Sequence, residues 1–378
     1  MIDRTIKKRI EAHLQPQKVV LLFGAHRVGK TVLLKQIVKD FQGKTMSLNG
    51  EDYDALTILE PQSIANYKRL LHDVDFLTID EAQNIPQIGQ KLKLMVDEID
   101  GLTVLASGSS SFDLINKAGE PLVGRSFSFN LFPFSHQELS ASESIIETKR
   151  NLEERLIYGS YPEVVTLADY HSKKEYLREI INAYLLKDIL SIEDIKNSSK
   201  MKDLLRLIAF QSGSEVSYDE LGRQLGLSRN TVEKYLDLLS KVFVVYKLGA
   251  YSGNMRKEVS KAGKWYFYDT GIRNALIGNF NSLTSRQDAG ILWESYMIAE
   301  RIKLNAYNQQ HKDFYFWRTY DGQEIDLIER TGDTLSAFEF KWGSSRQLKP
   351  PRGFITNYPN ASFDIVNPEN YTDYMFFK

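Results

Sequence analysis

The segment that most constrains this chain is KVVLLFGAHRVGKTVLLKQIVKDF, residues 18–41. Its apolar run Val19–Phe23 predicts a buried strand, and the amphipathic stretch after Lys30 predicts a helix. Between them stands Gly-x-x-x-x-Gly-Lys-Thr, which in this context predicts a phosphate-binding loop. Its glycines let backbone N–H groups surround phosphates, and the helix N-terminus adds the positive end of its dipole. The chain is therefore predicted to contain an α/β core that binds a nucleoside triphosphate.

The loop assigns roles to individual residues. Lys30 is predicted to reach the β- and γ-phosphates, and the Thr31 hydroxyl is predicted to ligate Mg²⁺. ATP and Mg²⁺ are accordingly the expected ligands. The predicted nucleotide-binding positions are Gly24, Ala25, His26, Arg27, Val28, Gly29, Lys30 and Thr31.

A second segment, DVDFLTIDEAQNI, supports this interpretation. An apolar strand at 76–79 ends in Asp80 and Glu81, as in a Walker B segment. Asp80 is predicted to hold Mg²⁺ through water, and Glu81 to polarise the attacking water. Two acids after a strand usually mark only an exposed loop, but the upstream phosphate-binding loop favours the catalytic interpretation.

Two further segments offer residues for the same site. GLTVLASGSSSFDL predicts a buried strand, after which Ser107 or Ser109 would sense the γ-phosphate. The alternative is a serine-rich turn that caps a helix beginning near Phe112. In GEPLVGRSFSFNLFPFS, Arg125 is expected on the nucleotide side, where it would stabilise transition-state charge in cis or on a neighbouring subunit of an oligomer. A surface arginine without a catalytic role is the alternative.

These motifs together resemble the prokaryotic AAA-type ATPase family. The resemblance is carried by FGAHRVGKT, FLTIDEAQ, LASGSSS, LVGRSFSFNLFPFSHQEL, YGSYPEVV and the mid-chain motif KWYFYDTGIRNAL. It covers nearly the whole chain and implies a C-terminal half that is conserved in the family and of unknown function. His26 departs from the family, which commonly carries Pro or Arg at that loop position.

Composition limits the remaining choices. A chain of 378 residues predicts two or three domains, and 42% hydrophobic with 26% charged residues is typical of soluble proteins. No run of about 18 apolar residues occurs, and MIDRTIKKRIEAHLQ lacks the apolar core of a secretion signal. The absence of cysteine excludes disulfides and thiolate metal sites, and the net charge of −1 leaves room only for a local basic patch. We expect a cytoplasmic protein that does not enter membranes.

The middle of the chain predicts two kinds of helical structure. Residues 136–200 have helix-period patterns typical of a lid that responds to nucleotide, although core packing explains the same spacing. Residues 201–282 predict a winged helix-turn-helix, with a turn at Gly226 and a second helix capped by Ser228. Residues 241–264 contain six Lys or Arg against one Asp or Glu, so the positive charge is concentrated in the proposed wing.

This charge suggests a nucleic-acid surface. Arg229, Asn230 and Lys234 would lie on the recognition helix, and Arg256 and Lys257 on the wing, where they would contact DNA phosphates. Glu233 and Asp237 on the same helix weaken that interpretation. A winged helix used for protein contact or domain packing is the alternative.

The C-terminal segment predicts a helix, GILWESYMIAERIKL, followed by strands at DFYFWRT, GQEIDLIER and LSAFEFKW. The period of two places Glu339 and Lys341 on one face, opposite Phe338 and Phe340. Asp326 lies on the preceding strand, so two carboxylates and an ammonium can converge.

This arrangement is similar to the PD-(D/E)xK nuclease superfamily, with Glu294 matching its upstream acid. By that resemblance Glu294, Asp326 and Glu339 would bind Mg²⁺, and Lys341 would orient or activate the attacking water. If Lys341 were held in ion pairs without room for a metal, the domain would instead be a nuclease-like scaffold retained for binding.

The predicted organisation is an AAA-type P-loop NTPase core at 1–135, a helical lid at 136–200, a winged helix-turn-helix at 201–282 and a restriction-endonuclease-like α/β domain at 283–378. The leading hypothesis is Mg²⁺-dependent ATP hydrolysis coupled to a DNA or protein partner. The alternatives are an ATP-regulated Mg²⁺-dependent nuclease and a nucleotide-gated binding module with an inactive nuclease-like domain.

Overall fold

The computed structural model describes residues 2–109, 122–185, 198–252, 263–343 and 349–376. Two compact units divide the chain: residues 1–134 with 241–243, and residues 135–240 with 244–378. Within the described ranges, no helix is long and apolar enough to span a membrane.

The first unit is built on a five-stranded parallel sheet in the order β2-β3-β4-β1-β5. Its strands are β1 (Val19–Phe23), β2 (Thr45–Asn49), β3 (Phe76–Asp80), β4 (Thr103–Gly108) and β5 (Ser126–Asn130). Its helices are α1 (Lys7–Ala12), α2 (Lys30–Asp40), α3 (Tyr53–Leu59), α4 (Ile64–Leu70) and α5 (Ile88–Glu98). Every residue of β1 and β4 is buried, which is why their sequences are nearly continuous apolar runs. The predicted α/β core with a parallel sheet is confirmed.

The strand order determines what meets at the edge of the sheet. β4 pairs in parallel with both β1 and β3, so it separates the strand before the phosphate-binding loop from the strand that ends in Asp80. Since parallel strands end at the same edge, the loop after β1, Ser107 near the end of β4 and Asp80 at the end of β3 lie side by side. This edge is the candidate nucleotide site.

The second unit combines helices with a six-stranded mixed sheet in the order β11-β10-β9-β8-β6-β7. The strands are β6 (Val245–Ala250), β7 (Lys264–Phe267), β8 (Asp313–Arg318), β9 (Glu324–Thr331), β10 (Thr334–Phe340) and β11 (Ser362–Val366). The earlier helices are α6 (His136–Ser140), α7 (Ile145–Tyr158), α8 (Pro162–Thr166), α9 (Tyr170–Glu179), α10 (Ser198–Phe210), α11 (Tyr218–Leu225) and α12 (Arg229–Lys241). The later helices are α13 (Thr270–Ile277), α14 (Ala289–Asn308), α15 (Arg352–Asn357) and α16 (Tyr371–Phe376).

Two features of this unit go beyond the sequence prediction. Helices α7 and α9 from the predicted lid pack against α13, so packing within the unit accounts for their apolar faces. The antiparallel pair β6–β7, expected as the wing, joins the C-terminal sheet because Gly249 and Ala250 of β6 pair in parallel with Tyr315 and Phe316 of β8. The proposed wing and the strands that carry Asp326 and Glu339 therefore share one sheet.

The helix pair α11–α12 has the expected local signals. Gly226 ends α11 with a left-handed φ of 64°, and the Leu227 N–H donates to the Gly222 carbonyl at 2.8 Å. The Ser228 hydroxyl then accepts the Thr231 N–H at 3.1 Å and begins α12. A short turn therefore connects the two helices, and its assignment to a winged helix-turn-helix stays a prediction.

Candidate functional sites

The phosphate-binding loop links β1 to α2. Gly29 precedes α2 with φ of 98°, a conformation that side chains disfavour, and a Cβ on Gly24 would lie 2.3 Å from the Leu131 carbonyl oxygen. Lys30 is 4% exposed and its ammonium donates to the carbonyls of Gly24 and Ala25 at 2.9 and 3.0 Å. The ammonium thus lies over the loop, where phosphate oxygens can replace these carbonyls.

Arg4, which no sequence motif marks, is hydrogen-bonded to the backbone of the phosphate-binding loop. The Arg4 guanidinium donates to the Val28 carbonyl at 2.9 Å and to the Phe132 carbonyl at 2.6 Å. It therefore ties the N-terminal segment and the chain after β5 to the loop. No motif marks Arg4, because these two hydrogen bonds end on backbone carbonyls, which any residue type provides.

Thr31, Asp80 and Ser107 meet at the edge of the sheet. The Thr31 hydroxyl donates to Asp80 Oδ2 at 2.6 Å, and the Ser107 hydroxyl donates to Asp80 Oδ1. A hydroxyl and a carboxylate are hard oxygen ligands, so the pair Thr31 and Asp80 fits Mg²⁺. Ser107 is therefore hydrogen-bonded to Asp80, whereas Ser109 lies just beyond β4. The proposed helix near Phe112 lies outside the described residues.

Glu81 adopts an unusual backbone conformation directly after Asp80. Its φ of 48° and ψ of 42° are left-handed, which is uncommon for a residue with a side chain. The Gly50 N–H donates to the Asp80 carbonyl at 2.8 Å, and the Gln83 side-chain amide donates to Glu81 Oε2 at 2.6 Å. Gln83 therefore orients the predicted catalytic carboxylate. In the sequence, the only indication of this role is that Gln83 stands two residues after Glu81.

A cavity of about 430 Å³ opens beside Thr31 and Asp80, on the side of β2 and α3. Leu34 and Val38 of α2 form part of an apolar wall, and Asp52 lies on the polar side. The Asp80 carboxylate is therefore reachable from a cleft.

Arg125 does not lie on the nucleotide side, so that expectation is wrong. It precedes β5, which runs parallel to β1, and its carbonyl accepts the Val19 N–H at 2.9 Å at the start of β1. The length of β1, about 16 Å at roughly 3.3 Å per residue, separates it from the phosphate-binding loop. Its guanidinium pairs with Asp97 at 2.6 Å. A role in cis is incompatible with this position, and action on a neighbouring subunit stays a prediction.

The C-terminal acids do converge in the second unit. Glu294 lies on α14, Asp326 on β9 and Glu339 on β10. Asp326 and Glu339 are next in register after the antiparallel pair Leu327 and Phe338. Lys341 follows β10 and its ammonium donates to Glu339 Oε1 at 2.6 Å. Phe338 and Phe340 are buried on the opposite face, as the period of two predicts.

Two residues of the mid-chain motif join these acids. Lys264, at the start of β7, is 2% exposed and forms ion pairs with Glu324 and, at 3.7 Å, with Glu294. The Tyr266 hydroxyl donates to Glu294 Oε1 at 2.5 Å. The sequence marked this motif only as a family resemblance, because the partners of Lys264 and Tyr266 are distant in the chain and the contacts depend on the sheet order.

Electrostatics in this group follow from burial. Burial raises the pKa of Glu294, while Lys264 and Tyr266 oppose the rise. Burial, with the charges of Glu294 and Glu339, raises the pKa of Asp326 well above its ordinary value. Burial alone would lower the pKa of Lys264, but Glu294 and Glu324 reverse the direction and raise it. The lysine is therefore held as a charged ammonium among carboxylates.

The other motif residues form a buried polar hub. The Asp269 carboxylate accepts the Ser160 N–H at 2.7 Å and the Ile272 N–H at 3.1 Å. The Asn274 amide donates to the carbonyls of Leu156 and Ile157 at 3.1 and 2.8 Å. The motifs YGSYPEVV and KWYFYDTGIRNAL thus bind each other and join α7 to α13, which gives them a structural role.

The candidate nucleic-acid surface is only partly described. Arg229 and Asn230 are exposed at the start of α12, and Arg229 lies 3.6 Å from Asp219. Arg256 and Lys257, the proposed wing contacts, lie outside the described residues.

Comparison with known families divides the chain into three successive matches. An AAA domain matches residues 16–140, a domain of unknown function (DUF8612) matches 149–283, and a second one (DUF4143) matches 289–373. The AAA match contains the phosphate-binding loop and the Asp80–Glu81 segment. The DUF4143 match contains Glu294, Asp326, Glu339 and Lys341.

Curated relatives extend over most of the chain. An uncharacterized protein of Mycobacterium tuberculosis is 26% identical over 97% of this chain and 80% of its own length. Uncharacterized proteins of Methanocaldococcus jannaschii and Haemophilus influenzae are each 23% identical, over 86% and 84% of this chain and 75% and 80% of their own lengths. The three regions therefore occur together in several prokaryotes.

Solved structures show lower similarity. A Walker-type ATPase of Pyrococcus abyssi is 15% identical with a TM-score of 0.47, covering 73% of this chain and 96% of that chain. The RuvB Holliday junction branch migration motor of Thermotoga maritima is 17% identical with a TM-score of 0.29, covering 61% and 82%.

Proposed function

Because the chain belongs to a family of prokaryotic AAA-type P-loop ATPases with a conserved C-terminal domain, we propose that its first unit hydrolyses ATP with Mg²⁺ and that this turnover is coupled to a DNA partner. The observation that carries the proposal is the 2.6 Å hydrogen bond between Thr31 and Asp80, beside the phosphate-binding loop. It brings together one residue from the start of α2 and one from the end of β3. These are the positions at which oxygen ligands for Mg²⁺ are expected beside a bound triphosphate.

Each residue of this site has a separate task. Lys30 and the N–H groups at the start of α2 would bind the phosphates, and Thr31 and Asp80 would hold Mg²⁺. When bound, Mg²⁺ supplies positive charge to the phosphate oxygens. Ser107 holds one Asp80 oxygen, so it would orient Asp80 and sense changes at the γ-phosphate. In this proposal, Lys30, Thr31, Asp80 and Ser107 bind and orient the nucleotide and Mg²⁺, and the chemical step requires a further residue.

Glu81 would act on the attacking water. Its left-handed backbone and the 2.6 Å bond from Gln83 restrict where its carboxylate can point. A carboxylate held in this way can orient water without first losing side-chain entropy. Glu81 is therefore the proposed catalytic residue, and Gln83 is a positioning residue.

The test separates binding from turnover. Lys30→Ala should abolish binding of a fluorescent ATP analogue. Glu81→Gln should keep binding and reduce phosphate release by roughly 100-fold or more, as the loss of a general base does. Lys39→Ala on the same helix and Glu98→Gln at the end of α5 are matched controls, because both side chains are exposed. Normal turnover in Glu81→Gln would remove Glu81 from this role.

The proposed partner surface is the start of α12. Arg229 and Asn230 are exposed there, and the α11–α12 turn presents this end of the helix. Basic and amide side chains at this position would contact DNA phosphates and base edges. Duplex binding should weaken in the double variant Arg229→Ala, Asn230→Ala. If K is the association constant for DNA, the slope of log K against log salt concentration should become shallower by about one unit for each phosphate contact removed.

Arg223→Ala provides the control, since Arg223 is exposed on the neighbouring helix α11. If duplex binding is unchanged in the α12 variant, the partner surface lies elsewhere or takes a protein. If ATP changes partner affinity equally in the wild type and in Glu81→Gln, the chain is a nucleotide-gated binding module in which hydrolysis is incidental.

A further inference from the structure

The acids of the C-terminal domain surround a buried lysine. We define the acidic cluster as Glu294, Glu324, Asp326 and Glu339. Lys264 enters it from β7, pairs with Glu294 and Glu324, and lies 5.2 Å from the centre of the Phe316 ring. Both the carboxylates and the aromatic face favour a cation at this position.

The other acidic groups are also engaged. One Asp326 oxygen accepts the Phe340 N–H at 2.8 Å, in place of a strand partner. Glu339 accepts a hydrogen bond from the Lys341 ammonium, and Glu294 accepts one from the Tyr266 hydroxyl. Over the part of the chain that the structure describes, no group of three or more His, Cys, Asp or Glu has a geometry that could hold a metal ion.

The electrostatic environment of the acidic cluster disfavours a divalent metal ion. Nuclease-type chemistry needs two or more carboxylate oxygens directed at one cation with open positions for water and phosphate. A buried ammonium among the same carboxylates repels a second cation and uses the oxygens that would bind it. The residues present therefore do not fit the metal that the PD-(D/E)xK resemblance implies.

We propose that Lys264 is the resident cation of the acidic cluster, so that the cluster is an ion-pair lock and not a divalent-metal centre. The lock connects strand β7 with helix α14 and strand β9. Arg318 reinforces it, pairing with Glu215 at 3.2 Å and lying 4.0 Å from Glu324. The charges that resemble a nuclease site thus fasten the proposed wing strands to the C-terminal sheet.

The test uses the chain with Asp80→Asn, which removes the carboxylate from the proposed metal ligands of the first unit, in the absence of nucleotide. Mn²⁺ binding is measured from the loss of the free Mn²⁺ paramagnetic resonance signal. Unfolding is followed by tryptophan fluorescence, since Trp265, Trp293, Trp317 and Trp342 all belong to the second unit. Both measurements are independent of any nuclease activity.

The parent should bind no Mn²⁺ at the cluster. Adding Lys264→Met should lower the unfolding temperature and create one Mn²⁺ site, and Mn²⁺ should restore the lost stability. Adding Glu294→Gln and Glu324→Gln as well should restore stability without Mn²⁺ and remove the site. Lys312→Met is the matched control, because Lys312 pairs with the buried Glu329 at 3.1 Å in the same unit. It should destabilise without creating a Mn²⁺ site.

Two results would overturn the proposal. One is a parent that binds Mn²⁺ at a site that Glu294→Gln or Asp326→Asn abolishes. The other is a Lys264→Met variant as stable as the parent without Mn²⁺. If Lys264→Met alone fails to fold, the triple variant Lys264→Met, Glu294→Gln, Glu324→Gln decides, because it removes the lysine together with both of its carboxylate partners. A folded triple variant supports the lock, and an unfolded one refutes it.

Discussion

Acid should destabilise the second unit through His136, the first residue of α6. The ring is 1% exposed, its Nδ1 lies 3.1 Å from the Tyr296 hydroxyl and 3.4 Å from an Arg155 nitrogen, and the His136 N–H donates to Glu300. Burial first, and then the charges of Arg155 and Lys303, lower the pKa of His136 to about 3. The imidazole is therefore neutral in the folded chain at all but strongly acidic pH.

The size of the effect follows from the two pKa values. The unfolded chain takes up a proton near the ordinary value of 6.5, whereas the folded chain does so near 3. Stability is fully present above pH 6.5 and is lost as pH falls towards 3, because the unfolded state binds more protons in that window. At about 1.4 kcal/mol per pH unit, the free energy of unfolding should fall by about 2 kcal/mol at pH 5 from this group alone.

The assay compares wild type with His136→Gln, which keeps a polar side chain but cannot titrate near neutral pH. Urea unfolding is followed by tryptophan fluorescence at pH 7.5, 6 and 5, and the stability difference between the two proteins is plotted against pH. We expect His136→Gln to be less stable at pH 7.5 and the gap to narrow by about 2 kcal/mol at pH 5. His171→Gln is the control, since the His171 side chain is 75% exposed. A gap that stays constant over this range would refute the reasoning.

Four further outcomes are expected. Gln83→Ala should lower the rate of ATP hydrolysis while ATP affinity stays unchanged, because it frees Glu81 without touching the phosphates; an unchanged rate would show that Gln83 does not position Glu81. Arg125→Ala should leave turnover unchanged in dilute protein, since Arg125 lies at the far end of β1; a loss at all concentrations would return Arg125 to the site in cis. Gly24→Ala should abolish binding of a fluorescent ATP analogue, because its Cβ would lie 2.3 Å from a carbonyl oxygen; wild-type affinity would contradict the close approach. Glu329→Gln should lower the free energy of unfolding, measured with urea, by about 3–5 kcal/mol, because it leaves buried Arg301 and partly buried Lys312 without their carboxylate. A decrease below about 1 kcal/mol would show that the ion pairs of Glu329 are well solvated.

Much of the first unit could be predicted because its signals are local. A phosphate-binding loop needs a strand, two glycines and a helix start within about 15 residues, so residues 18–41 specify it without knowledge of the rest. The Asp80–Glu81 segment is equally local. Hydrophobic periodicity also predicted the hairpin that carries Asp326 and Glu339, since residues on one strand face alternate whatever lies beyond them.

The residues that the sequence misplaced or missed depend on how elements are arranged in space. The sequence predicts the wrong edge for Arg125, because the order β4-β1-β5 and the direction of β5 become known only when the sheet is assembled. In the sequence, Lys264 is marked only as part of a family motif, and the pairing of β6 with β8 brings it among the acids of α14 and β9. Sequence by itself determined which chemical groups are present and the local structure around them. Tertiary structure decided which charges meet, because the energy of a buried charge depends on its neighbours in space and not on its neighbours in the chain.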